Sequence, residues 1–235
     1  MKAIAIITAR GGSKRIPRKN IKRFLGKPII LYSIEAALQS GIFDVVMVST
    51  DDLEIAEVAK KAGAEVPFLR SEATSTDFSS TADVLVEVLE RFKAEGKEFE
   101  YACCCYPTAP FITPEKLKTA FEMLQHADAD TILPIAKYSV PIWWALKLNN
   151  NQVSFHWPEN ELKRSQDLPA AYFDTGQFYF FSVQRFLKSK SIFTNNTIGL
   201  EVPETEVQDI DNEEDWNLAE IKYRWLHEKQ NKNVF

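Results

Sequence analysis

A chain of 235 residues with 45% apolar content can bury a large core as one domain, and no apolar run approaches the ~20 residues of a membrane helix. Its net charge of −5 excludes a general nucleic-acid binder, which needs a broad basic face. The charge is unevenly spread: the first 34 residues hold nine Lys or Arg and no Asp or Glu, whereas the other 201 hold 19 basic and 33 acidic groups.

In chain order, the apolar run Ala3-Ile4-Ala5-Ile6-Ile7 predicts a buried strand, and it stops at Ala9-Arg10-Gly11-Gly12-Ser13-Lys14. Glycines admit close approach of backbone N–H groups and the flanking cations supply positive charge, so this loop suits a polyphosphate. Arg10 interrupts the apolar run too early for a secretory signal. It is not a Walker loop, because Gly26-Lys27 is followed by Pro28 and Ile21 stands where the leading Gly belongs. Residues 44–49 read as a strand, with Thr50 or Asp51 capping a helix that runs through Lys60-Lys61 and ends at Gly63. A short extended piece at 65–68 precedes a helix over 81–95 and a buried strand over 101–106. The consecutive Cys103, Cys104 and Cys105 on that strand read as small buried hydrophobes in a reduced cytosol.

Thr113-Pro114 predicts an N-cap and a helix to about Gln125, and residues 131–135 predict a strand. This alternation implies an α/β fold with a doubly wound, mostly parallel sheet. From about 137 to 177 the chain turns rich in Trp, Asn and Pro, with strand-like pieces at 143–148 and 152–155; this segment reads as an insertion. Regular pattern returns with a strand at 178–181, a helix near 183–189, a strand near 198–202 and a closing helix over 213–229. Just before that helix, Asp209 and Asp211 stand at i and i+2 of an extended segment, so both carboxylates point the same way and can reach one hard cation such as magnesium. The competing reading makes Asp211 or Asn212 the helix cap and Asp209 a surface charge.

Taken together, Ala9-Arg10-Gly11-Gly12-Ser13-Lys14, Lys19-Asn20, Val48-Ser49-Thr50-Asp51, Pro107-Thr108-Ala109-Pro110 and Asp209-Ile210-Asp211 resemble, in order and spacing, the CMP-sialic acid synthetase (acylneuraminate cytidylyltransferase) family. Residues 164–169 and 171–179, with Tyr106-Pro107-Thr108-Ala109-Pro110, are most similar to its pseudaminic acid cytidylyltransferase branch. Neuraminate-activating members usually carry Gln where this chain has Tyr106 and Ser where it has Ala109, which points away from a neuraminate substrate.

The resemblance implies a nucleotidyltransferase fold with a small dimerisation insertion, and a homodimer in the cytoplasm. It implies the reaction of CTP with a nonulosonic acid, a nine-carbon 2-keto acid sugar, to give a CMP-sugar and pyrophosphate, with Mg2+ as cofactor. Carried over residue by residue, Ala9, Arg10, Gly11, Gly12, Ser13, Lys14, Lys19 and Asn20 would hold the nucleotide, with Ser80 and Thr81 near the ribose. Asp209 and Asp211 would bind magnesium, and Lys14 and Arg10 would neutralise the departing pyrophosphate. Tyr106, Gln177 and Tyr179 would line the sugar pocket, and Arg164 and Gln166, on the insertion, would face the sugar's carboxylate, in their own or the neighbouring subunit. Magnesium would also acidify the attacking hydroxyl, so His126, His156 and His227, which lie outside every motif, are not needed as bases. CMP-neuraminic or CMP-legionaminic acid synthesis is the alternative within the family. A glycosyltransferase using a nucleotide sugar, or a silent nucleotide-binding subunit, is the alternative outside it.

Overall fold

The computed structural model describes residues 2–76 and 78–232. Strand β1 (Ala3–Thr8) is followed by a basic loop and a two-residue hairpin, β2 (Arg23–Phe24) and β3 (Lys27–Pro28). Helix α1 (Ile30–Ser40), strand β4 (Val45–Ser49), helix α2 (Leu53–Lys61) and helix α3 (Thr81–Ala94) come next. Then follow β5 (Tyr101–Cys105), α4 (Pro114–His126) and β6 (Thr131–Lys137). The hairpin β7 (Leu146–Asn149) and β8 (Gln152–Phe155) precedes β9 (Tyr172–Asp174) and β10 (Phe178–Ser182). Helix α5 (Val183–Ser189), β11 (Thr197–Glu201) and α6 (Glu213–Lys232) close the described chain.

The main sheet runs β11-β6-β10-β5-β1-β4, with β9 added beside β6. β1 pairs in parallel with both β4 and β5, and β11 in parallel with β6. β10 is antiparallel to β5 and β6, and β9 is antiparallel to β6. The doubly wound, mostly parallel α/β expectation therefore holds, with two reversed strands. Residues 3–7 of β1 are fully buried because helices cover both faces of the sheet, which explains an apolar run without alternation. One face, carrying Ile7, Val48, Cys103, Cys105 and Phe180, packs on α1, α2 and α4 through Ile34, Ile55 and Leu117. The other, carrying Ile6, Met47, Cys104 and Phe181, packs on α3 and α5 through Leu85, Phe92 and Phe186. Cys103 and Cys105 thus share a face, their sulfurs 3.6 Å apart in the core, while Cys104 faces away.

A third cluster positions the site. Ile16, Phe24, Ile29, Tyr32 and Phe111 close around Ile210, Trp216 and Ala219, and Phe24 meets Trp216 edge-on at 5.6 Å. This packing carries the start of α6 onto the loop after β1.

Several local expectations are corrected. Neither Thr50 nor Asp51 caps α2; Asp52 does, its Oδ1 accepting from the N–H groups of Glu54 and Ile55 at 3.0 Å each. The short extended piece at 65–68 touches the sheet through an isolated parallel bridge from Glu65 to Met47. Trp143 lies in a 3-10 turn rather than a strand. Helix α1 has no counterpart among the sequence expectations, because it follows the basic hairpin without a capping side chain to announce it. Within residues 137–177, β7 and β8 pair only with each other, but β9 returns to the main sheet. Among the described residues, no helix is long and apolar enough to cross a membrane.

Candidate active site

The chain leaves β1 tied to its neighbour, with Ala9 N–H donating to the Ser49 carbonyl at 2.9 Å. The Gly11 N–H then donates to Asp51 Oδ1 at 2.8 Å. A Cβ on Gly11 would sit 2.8 Å from Asp52 Oδ2 and 3.0 Å from Asp52 Cβ, so this backbone approach requires glycine. Arg18 adopts a left-handed φ of 55° and its guanidinium pairs with Asp52 and Glu54 at the start of α2. The Arg18 hydrogen bond, with the N-terminal amides of α2, holds the Asp52 carboxyl below its ordinary pKa. The buried Asn20 donates to the Arg10 carbonyl at 2.8 Å. These contacts fold the loop around a cavity of about 190 Å3 lined by Thr8, Arg10, Ser13, Lys14, Arg15, Lys19, Asn20 and Tyr106. Four of the lining side chains are cationic, so an anion such as a phosphate is the ligand that the cavity suits.

The segment carrying the acidic pair meets two of these cations from the far end of the chain. Lys19 Nζ donates to the Ile210 carbonyl at 2.6 Å across 191 residues of sequence, and Arg15 pairs with Asp211 at 2.7 Å. The cap of α6 is Asn212, whose Oδ1 accepts from Glu214 and Asp215 N–H at 2.9 and 3.0 Å. Asp215 returns the bond to the N–H groups of Asp211 and Asn212. Both side chains of the Asp pair are thereby free of capping duty. Asp209 is exposed on one side, yet burial on the other, followed by the nearby Asp211 charge, raises its carboxyl pKa. Burial lowers the Lys19 pKa, and Asp211 and Asp209 partly restore it. Two hard carboxylates that repel each other beside a phosphate-sized cavity fit a hard divalent cation. Among the described residues, no cluster of three or more His, Cys, Asp or Glu offers a complete metal shell. Magnesium held by Asp209 and Asp211 would therefore draw its other ligands from water and phosphate oxygens, its usual habit.

Tyr106, which lines the cavity, is held where the end of β5 meets the start of β10. Tyr106 N–H donates to the Gln177 carbonyl at 2.9 Å, and Ser33 Oγ donates to the Tyr106 carbonyl at 2.8 Å. The Tyr106 and Tyr179 rings meet edge-on at 5.6 Å, and the Tyr106 hydroxyl lies 3.4 Å from Thr81 Oγ1. Gln177 donates through Nε2 to the Glu206 carbonyl at 2.8 Å, while its buried Oε1 has no partner among the described residues. Such an orphaned acceptor typically costs about 1–3 kcal/mol.

Most of the sequence-predicted residues therefore converge. Ser80, next to Thr81, is the N-cap of α3 in a reciprocal pair with Asp83. The Ser80-x-x-Asp83 spacing was the available signal for that role. Arg164 and Gln166 are not brought to the cavity within the chain. Arg164 forks onto Asp167 at 2.7 and 3.0 Å, and Gln166 borders a separate hollow of about 320 Å3 with Lys137, Tyr138 and Pro169. The histidines stand apart: His227 stacks on Tyr223 at 4.0 Å and His156 leans on Trp157 at 5.6 Å. Asp51 and Asp174 stand in segments that the sequence singles out and Arg18 in its basic leading segment, but these contacts are not legible there, since the partners Gly11, Tyr179 and Asp52 lie 5 to 40 residues away.

Residues 4–233 match the family described as cytidylyltransferase. Pseudaminic acid cytidylyltransferase of Campylobacter jejuni is 43% identical over 97% of this chain and 99% of that protein. CMP-N,N'-diacetyllegionaminic acid synthase of Legionella pneumophila is 33% identical over 94% and 95%. Among solved structures, a CMP:2-keto-3-deoxy-manno-octonic acid synthetase complexed with CTP superposes with a TM-score of 0.67 at 20% identity, covering 97% of this chain and 100% of that one. A 4-diphosphocytidyl-2C-methyl-D-erythritol synthase from Anaerococcus prevotii does so with a TM-score of 0.62 at 14% identity, over 95% and 98%. Those two likenesses establish the nucleotidyltransferase fold, and the full-length relatives with the family match establish that this chain belongs to the cytidylyltransferase family of nucleotidyltransferase enzymes.

Proposed function

We propose that the chain transfers CMP from CTP to pseudaminic acid, releasing pyrophosphate. The observation that carries this reading is the meeting of the Asp209–Asp211 segment with Arg15 and Lys19, two of the cations that line a cavity shared with Tyr106. The sugar's anomeric oxygen bonds to the α-phosphorus as the bond from that phosphorus to the β-phosphate bridging oxygen breaks, and the hydroxyl proton leaves to solvent. Chemistry of this kind depends on positioning and on cations at the phosphate oxygens. Arg10 and Lys14 neutralise the departing pyrophosphate, Ser13 and Asn20 hold the loop around it, and Lys19 keeps the Asp209–Asp211 segment in place. Bound magnesium would supply charge neutralisation at the phosphates and acidify a coordinated hydroxyl.

Sugar choice rests on Tyr106, Gln177 and Tyr179, whose mixture of rings and few polar atoms suits a sugar with acylamino groups and a terminal methyl better than one richer in hydroxyls. A homodimer joined through the exposed β7–β8 hairpin, where Leu148 is 70% exposed, would let Arg164 and Gln166 serve the neighbouring subunit's sugar carboxylate. The unpaired thiols of residues 103–105 support a reducing, cytoplasmic setting. The test is pyrophosphate release with magnesium and CTP in a competition among pseudaminic, legionaminic and N-acetylneuraminic acids, read by the mass of the CMP product. Pseudaminic acid should win by about ten- to several-hundred-fold, the range available to discrimination by shape. No pyrophosphate with any of the three would overturn the enzyme reading; a neuraminic acid preference would overturn the sugar assignment alone.

A further inference from the structure

We propose that Asp174 is a positioning residue that holds Tyr179 as a hydrogen-bond acceptor toward the sugar pocket, so that this wall selects a donor group on the sugar. The inference rests on the reading that Tyr106 and Tyr179 line the sugar site.

The geometry leaves one consistent direction for the protons. Asp174 ends β9, and its Oδ1 accepts from the Gly176 N–H at 2.9 Å in a turn where Gly176 has a left-handed φ of 60°. Its Oδ2 accepts from the Tyr179 hydroxyl. An ionised carboxylate only accepts, so Tyr179 must spend its single proton on Asp174. What Tyr179 can offer elsewhere is lone pairs alone. Tyr106, edge-on at 5.6 Å and itself a lining residue of the cavity, continues the same array, with Thr81 3.4 Å from its hydroxyl. Burial, then the neighbouring Tyr106 and Asp174, push the Tyr179 pKa upward, so the phenol stays protonated and the direction persists at neutral pH. Gln177 adds to the pattern. Its Nε2 must donate to the Glu206 carbonyl, so the orphaned Oε1 is also an acceptor. A wall that presents acceptors pairs with N–H groups such as those of acylamino substituents, and repels carbonyl and carboxylate oxygens.

Asp174→Asn reverses the array without changing its shape. Gly176 N–H still requires an oxygen, so the amide nitrogen faces Tyr179 and turns that hydroxyl round to donate toward the pocket. The experiment compares wild type, Asp174→Asn and Tyr179→Phe by steady-state kinetics with pseudaminic acid. The expected result is a rise of tenfold or more in KM for the sugar in both variants, with KM for CTP unchanged and only the modest fall in melting temperature that one lost hydrogen bond brings. The double variant should be no worse than Tyr179→Phe alone. An unchanged sugar KM in Tyr179→Phe, or an equal rise in the KM for CTP, overturns the proposal even if Asp174→Asn fails to fold. A wild-type enzyme that turns over none of the three acids refutes instead the functional reading beneath it.

Discussion

Substitutions at Asp209, Asp211 and Asn212 separate metal chemistry from helix capping at the start of α6. Asn212→Ala removes the acceptor of two α6 amide hydrogens, at 2.9 and 3.0 Å, and should cost about 1 kcal/mol of stability, within the 0.5–2 kcal/mol typical of caps. In a protein of this size that lowers the melting temperature by about 2–4 °C. Asp211→Asn removes only a pairing with Arg15, whose side chain is 68% exposed, and pairs of that kind are worth ~0–1 kcal/mol at most. Asp209→Asn should leave the metal-free protein as stable or slightly more so. Its folded carboxyl pKa lies above the unfolded value, so the ionised form is the one that folding disfavours, and the substitution removes that charge. Both Asp variants should nonetheless lose on the order of 10²–10³ in turnover, ~3–4 kcal/mol of transition-state stabilisation, whereas Asn212→Ala should retain most of it. Thermal unfolding without metal and pyrophosphate release with magnesium read the two quantities separately. If the Asp variants lost stability like a missing cap while keeping their rate, the assignment of Asp209 and Asp211 to the metal would be wrong.

Gly11→Ala should cost ~1–3 kcal/mol and raise the KM for CTP, because its Cβ would meet Asp52, which Arg18 and the α2 amides hold in place. Denaturant unfolding and CTP titration check it, and Gly12→Ala, with open space around its added methyl, is the control for the unfolding measurement alone. Lowering the pH should protonate Asp209 before an ordinary aspartate, since its pKa is raised; turnover should therefore begin to fall on the acid side at a higher pH than an ordinary aspartate would give. A pH–rate profile whose acid limb is unmoved by Asp209→Asn would contradict this. Arg164→Ala should raise the KM of all three sugar acids alike, because its proposed partner is the carboxylate they share, whereas Tyr106→Gln should narrow the gap between them. Kinetics with each acid distinguish the two patterns.

Much of this molecule is written locally. An apolar run ending at paired glycines among cations needs no partner to be read as a strand and an anion loop, and Thr113-Pro114 opens α4 as the sequence predicts, with Thr113 accepting the Lys116 N–H at 3.3 Å. Asp-x-Asp before a helix announces two carboxylates on one side. Tertiary structure decided what those carboxylates face. The packing of Trp216 and Ile210 against Phe24 and Ile16, nearly two hundred residues upstream, sets Asp211 on Arg15 and Lys19 on the Ile210 carbonyl. It also chose Asp52 over Thr50 and Asp51 as the cap of α2, because Arg18 holds Asp52 while Gly11 engages Asp51. The reversed direction of β10 has the same origin: periodicity encodes which faces are buried and not which way a strand runs, so only the pairing of Phe178 with Cys105 fixes it. That reversal places the Asp174–Gln177 turn and Tyr179 beside Tyr106, a meeting that the family resemblance implies and no local pattern in the sequence encodes.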